Sequence, residues 1–177
     1  MKFSTKKLVL CALMAALCCV ATMVIRIPTP TNGYVNLGDC IVLLSGFVLG
    51  PVYGAVAGGI GSALADLFSG YISYGLPTFI IKALMALSAA YIYILMKKKF
   101  MGTVVGAIAA EIIMIAGYFL CEATFFGYGL GAVASVPSNA MQGLFGIVFS
   151  CIIMAIFKSN KSISNSIDNL MGKQKRV

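Results

Sequence analysis

Between Leu37 and Phe68 the chain runs for 32 residues with two charged side chains, Asp39 and Asp66. A helix crosses about 30 Å of hydrocarbon with about 20 residues, so this run holds more than one crossing. Gly50-Pro51 divides it into two short spans. The same alternation of apolar run and turn signal recurs along the chain. Leu8 to Ile25 precedes Pro28 and Pro30, Pro77 to Met96 precedes three lysines, and Gly102 to Cys121 and Ser138 to Phe157 follow. Charged residues make up 10% of the chain and hydrophobic ones 60%, whereas a soluble domain carries about 25% charged residues. A water-soluble globule is excluded, and so is a soluble catalytic or nucleotide-binding domain. The expected fold is an all-α integral membrane protein, a bundle of six transmembrane helices over residues 1–158 with a basic, serine-rich tail over 159–177.

Charge gives the bundle a direction. Eleven of the 13 basic residues fall at the N-terminus, after the fourth span or after the sixth: Lys2, Lys6, Lys7, Lys97, Lys98, Lys99, Lys158, Lys161, Lys173, Lys175 and Arg176. Basic residues near span ends stay in the cytoplasm, so both termini are expected there, and topology explains the net charge of +8 without nucleic acid. The first span ends in Met23-Val24-Ile25-Arg26 rather than at a small-residue cleavage site, and reads as a retained helix rather than a signal peptide.

Several chemistries lack their residues. Histidine is absent, no C-x-x-C pair occurs, and five of the six cysteines lie in or at the rim of apolar runs, with Cys40 just inside another. They read as buried thiols that pack as small hydrophobes. With neither a Ser/His pair nor a metal-ligand cluster, no enzyme, cofactor or metal site is expected.

Ionisable residues inside the spans carry the functional signal, because each costs about 2.5–3.5 kcal/mol at mid-bilayer on insertion scales. Helical periodicity puts Glu111, Ile115, Tyr118 and Glu122 on one stripe of the fifth span. Tyr74, Thr78 and Lys82 share a face of the fourth, and Asn139, Gln142 and Gly146 a face of the sixth. All three stripes are polar toward the outer surface, which predicts a hollow open to the outside that holds a small solute. Pairing of Lys82 with Glu111 as a structural staple is the competing reading. Asp39 is either a helix cap or a site residue, and Asp66 is taken as structural. Ala12, Ala15 and Ala16 form a small-residue stripe on the first helix, and Gly54, Gly58 and Ser62 one on the third. The first serves either internal packing or a membrane partner.

The segment Gly33-Tyr34-Val35-Asn36-Leu37-Gly38-Asp39 resembles the substrate-binding S components of energy-coupling factor (ECF) vitamin transporters. Ala65 to Tyr71, Lys82, Glu122 with Gly127, Pro137-Ser138-Asn139 and Gln142-Gly143 continue the pattern in order. The resemblance implies a subunit of a bacterial plasma membrane that captures a vitamin or precursor from outside and hydrolyses nothing. A membrane-embedded T component and two cytoplasmic ATPases would supply energy, and Ala12 and Ala16 would contact the T component. It also puts the first loop over the site, so the candidate binding residues become Tyr34, Asn36, Tyr74, Lys82, Glu111, Tyr118, Glu122, Asn139 and Gln142. The closest similarity is to members assigned to hydroxymethylpyrimidine or vitamin B6, with riboflavin, pantothenate or a deazapurine precursor still open. A stand-alone proton-coupled carrier using Glu111 and Glu122, and an assembly protein without ligand, are the alternatives.

Overall fold

A computed structural model of the chain describes residues 5–29 and 34–171. The Asn32-Gly33 turn, Pro30, Lys2 and the basic residues Lys173, Lys175 and Arg176 lie outside the described residues. Seven helices follow in order: α1 (Thr5–Val24), α2 (Gly38–Leu49), α3 (Pro51–Phe68), α4 (Gly75–Leu95), α5 (Phe100–Thr124), α6 (Val136–Ser159) and α7 (Lys161–Met171). Short 3-10 turns at Ile72–Tyr74 and Gly129–Ser135 lead into α4 and α6. Five segments are long and apolar enough to cross a membrane, containing α1, α3, α4, α5 and α6. At about 1.5 Å per residue, the 12 residues of α2 reach only about 18 Å.

Two features depart from the expected outline. The segment Arg26 to Asn36, polar with two prolines and an Asn32-Gly33 pair and so readable as a loop outside the bilayer core, carries a small antiparallel ribbon in which β1 (Arg26–Pro28) pairs with β2 (Tyr34–Asn36), Arg26 opposite Asn36 and Pro28 opposite Tyr34. Residues 161–171, expected as tail, form α7. Its first turn is capped by the Asn160 side chain, which accepts from the Ser162 and Ile163 amides at 3.0 and 3.2 Å. Apolar residues on one face, with Ile167 buried, seat it against α2 and α6. Lys98 pairs with Asp168 at 3.0 Å and ties it to the α4–α5 turn.

The helices approach closely where their sequences are small. Gly50 takes φ +84° and lets Pro51 open α3 at once. A Cβ added at Gly54 would stand 2.6 Å from the Gly46 Cα, so α2 and α3 touch backbone to backbone. Ser45 Oγ fastens the contact, donating toward Val42 O at 2.7 Å and Gly54 O at 2.9 Å. Ala15 of α1 packs on Gly61 of α3, the internal half of the small-residue stripe. Ala12 and Ala16 are exposed and border an apolar groove between α1 and α3. Behind these contacts Leu43, Phe47, Met85, Met114 and Met154 fill the core without solvent exposure.

The chain therefore has two unlike ends. One carries the α2–α3 turn, Lys97 to Lys99 and α7. The other carries the ribbon, the end of α3, the start of α4, the end of α5 and the start of α6, and here the polar residues gather.

Candidate functional site

The ribbon turns its second strand down into the bundle. Asn36, buried, holds that descent: its backbone N–H donates to Gln142 Oε1 at 2.7 Å, and its side-chain oxygen accepts from the Gly38 amide at 2.8 Å. The second bond turns the chain into α2, whose N-cap residue makes no side-chain cap bond. Asp39 forms an ion pair with Lys82 of α4, the two groups 1% and 2% exposed. Gln142 Nε2 of α6 donates to the other Asp39 oxygen at 2.6 Å. One carboxylate thus joins α2, α4 and α6. The Lys82–Glu111 staple of the competing reading is not formed, because Asp39, entering at the start of the short α2, pairs with the ammonium instead.

Above this pair opens a narrow hollow lined by residues of every long helix and of the ribbon. On one wall the Tyr34 phenol donates to Asp66 Oδ1 at 2.6 Å and its ring lies 4.7 Å from that of Tyr71. Burial, and after it the neighbouring Asp66 carboxylate, pushes the Tyr34 phenol well above the ordinary tyrosine value. On another wall Glu122, 2% exposed, accepts from Tyr74 at 3.2 Å and from Ser135. Phe126 stacks on Tyr74 at 4.5 Å. Between the walls Thr78 and Tyr118 share a hydrogen bond of 3.0 Å, and the Lys82 ammonium lies 5.4 Å from the Tyr118 ring centre.

Eight of the nine residues expected at the site line this hollow: Tyr34, Asn36, Tyr74, Lys82, Tyr118, Glu122, Asn139 and Gln142. Glu111 does not. It shares the α5 stripe with Glu122, but 11 residues along a helix put it about 16 Å deeper. There its carboxyl group packs beside Asp39 and against α6, where a Cβ at Gly143 would stand 3.1 Å from one oxygen and a Cβ at Gly146 2.5 Å from the other. Neither oxygen makes a hydrogen bond of good geometry among the described residues. Helical periodicity fixes the direction of a side chain and leaves its depth open.

The hollow also has lining that the sequence reading passed over: Thr22, Thr29, Ser62 and Asp66, with Thr78 noted on a stripe but not chosen. Asp66, taken as structural, is 3% exposed. A signal was present, since Cys18 with Thr22 on α1 and Ser62 with Asp66 on α3 are each spaced four apart. Polar groups so spaced mark one helix face.

With Lys82 matched by Asp39, the wall keeps two further carboxyl groups, Asp66 and Glu122, and no second cation among the described lining residues. Phenols, hydroxyls and amides supply the rest. The arrangement offers hydrogen-bond donors and acceptors on several sides of one hollow. Among the described residues no group of three metal-ligating side chains occurs.

Comparison with known proteins places these observations. A family profile described as "ECF-type riboflavin transporter, S component" matches residues 2–159. An uncharacterised protein in the gap 3' region of Pyrococcus woesei is 35% identical over 130 residues, 73% of this chain and 86% of the relative. The thiamine precursor transporter HmpT of Lactococcus lactis subsp. cremoris is 25% identical over 155 residues, 86% of this chain and 88% of the relative. A solved structure described under "Structure and mechanism of the S component of a bacterial ECF transporter" superposes with a TM-score of 0.67 at 25% identity, covering 88% of this chain and 98% of its own.

Proposed function

Because the chain belongs to the S-component family of ECF-type transporters, a family of multi-pass membrane proteins, we propose that it is the solute-capturing subunit of an ATP-driven vitamin importer. The observation that carries the reading is a buried, polar, hydrogen-bonding hollow at one end of an otherwise apolar bundle. The solute enters from outside. Six crossings, with α2 spanning only the inner part of the bilayer below the hollow, put both termini and α7 in the cytoplasm. That orientation follows the lysines. A T component docks on the α1–α3 groove at Ala12 and Ala16, and two cytoplasmic ATPases drive release inward.

The solute we propose is a small hydroxylated heteroaromatic of the hydroxymethylpyrimidine or pyridoxine kind. The likeness to a thiamine precursor transporter supports this, and so does the hollow's lining of phenols, hydroxyls, amides and carboxyl groups. Tyr34, Tyr74 and Tyr118 give it aromatic faces, and Asn36, Lys82, Glu122, Asn139 and Gln142 give it polar partners. Riboflavin, named in the family description, is the second reading, and it requires the hollow to widen around a three-ring solute.

Calorimetry on the purified full chain in detergent, titrated with a vitamin and precursor panel, tests the assignment. One-to-one capture of hydroxymethylpyrimidine or pyridoxine is expected, weakened about 10- to 100-fold by Glu122→Gln, the range of a lost charge-assisted hydrogen bond. Capture of riboflavin alone selects the second reading. Uptake by vesicles holding this chain alone, driven by a pH gradient without ATPases, would replace both with a proton-coupled carrier.

A further inference from the structure

Two polar atoms in the hollow have no hydrogen-bond partner among the described residues although they are shut away from water: Asp66 Oδ2 and Thr22 Oγ1. Their residues are 3% and 2% exposed, and both line the hollow. Leaving such groups unmatched costs the folded protein free energy, so a persistent pair of them marks the place of something that matches them. Thr22 lies on α1 and Asp66 on α3, two helices in contact. One turn deeper, Cys18 Sγ of α1 meets Ser62 Oγ of α3 at 3.2 Å. Thr22 and Asp66 stand four residues further along these two helices, which run toward the same end.

The chemistry of the missing partner follows from what already surrounds Asp66. Its other oxygen accepts from Tyr34, whose phenol holds its proton. The Thr78 hydroxyl, which shares a hydrogen bond with Tyr118 at 3.0 Å, stands near Asp66 without closing a bond of good geometry to Oδ2, and Lys82 faces Asp39. Oδ2 therefore has no donor in good geometry, and an N–H or O–H of a solute satisfies it. Thr22 Oγ1 can donate as well as accept, and next to an N–H donor it suits a ring nitrogen that accepts.

We infer that Asp66 Oδ2 and Thr22 Oγ1 form a specificity subsite that reads an exocyclic amine beside a ring nitrogen, and so separates an amino-substituted heteroaromatic from its oxo counterpart. The inference rests on the proposed capture of a small heteroaromatic and narrows its class. An oxo group in the same place turns a carbonyl oxygen toward a carboxylate oxygen, acceptor against acceptor. A site built around a hydrogen bond rejects an analogue that leaves its buried group unmatched.

The test titrates the full chain in detergent with hydroxymethylpyrimidine and with the analogue whose exocyclic amine is replaced by a ring carbonyl. Wild-type protein is expected to favour the amine about 10- to 100-fold. Asp66→Asn, which can present an N–H to the carbonyl, is expected to bring the ratio to within about threefold of unity or invert it. A ratio unchanged in Asp66→Asn overturns the subsite. Should that variant fail to fold, a structure of the wild-type complex decides, with the amine nitrogen within hydrogen-bond distance of Asp66 Oδ2 supporting the subsite and the nitrogen elsewhere overturning it. If wild-type protein binds neither pyrimidine but binds another vitamin, the subsite falls and solute capture stands. If it binds no vitamin at all, both fall.

Discussion

Replacing Lys82 with methionine keeps the volume of the side chain and removes its charge, leaving the Asp39 carboxylate buried at 1% exposure. Breaking a buried ion pair from one side costs about 3–5 kcal/mol, because the abandoned charge has no water to turn to. Gln142 still donates to Asp39 at 2.6 Å, which sets the loss near the lower limit, about 3 kcal/mol. Asp39→Asn strands the ammonium instead and costs a similar amount. The double variant Asp39→Asn, Lys82→Met buries no charge and lets the asparagine keep a bond to Gln142. Its expected loss is about 3 kcal/mol rather than the roughly 6 of two independent sites, a coupling of about 3 kcal/mol. The chain has no tryptophan, so unfolding in mixed micelles is best followed by alkylation of the buried thiol of Cys18, which has no exposed surface, across a denaturant series. Losses that add within about 0.5 kcal/mol would show that the two groups do not depend on one another, and the account of how α2, α4 and α6 are joined would be wrong.

Two further outcomes follow from the same geometry. The Tyr34 phenol binds its proton more tightly in the folded chain than in the unfolded one, so folded stability falls as pH rises from about 10, the ordinary tyrosine value. Tyr34→Phe removes that part of the slope in stability measured between pH 9 and 11, and a slope unchanged by it contradicts the Tyr34–Asp66 bond. Gly146→Ala places a methyl group against Glu111 and Asp39 and lowers stability by about 1–3 kcal/mol, the usual cost of overpacking, whereas Gly131→Ala, where a Cβ would meet nothing within 4 Å, serves as the neutral control in the same alkylation assay.

What the amino-acid order revealed and what it withheld divide along a physical line. Turn chemistry at Gly50-Pro51 and runs of apolar residues long enough for hydrocarbon are local properties, and they located every apolar helix. Polar stripes on α4, α5 and α6 are properties of one helix at a time, and they pointed six of the chosen side chains at the hollow, while Tyr34 and Asn36 came from the resemblance. The choice of Asp39 over Glu111 as the partner of Lys82 depends on how far the ribbon descends before α2 begins. That depth is set by contacts between segments 106 residues apart, Asn36 and Gln142. The start of α4 differs for a smaller reason. Helix begins at Gly75, two residues before Pro77, because a proline in the first turn sacrifices an N–H that has no intrahelical acceptor. Threonine and serine are common in apolar helices, so Thr22 drew no notice and Ser62 was read only as a packing residue until α1 and α3 were seen side by side.

The brevity of α2 has a mechanical meaning. Five columns of the bundle run full length and the sixth stops partway, so the architecture is unfinished where the hollow lies. On the proposed function a captured molecule would become the missing segment of that column, and its occupancy would act as a structural brace. Mass action gives its strength: a solute at about 100 times its dissociation constant adds about 2.7 kcal/mol to the folded state, and letting the solute go relaxes the same corner of the protein.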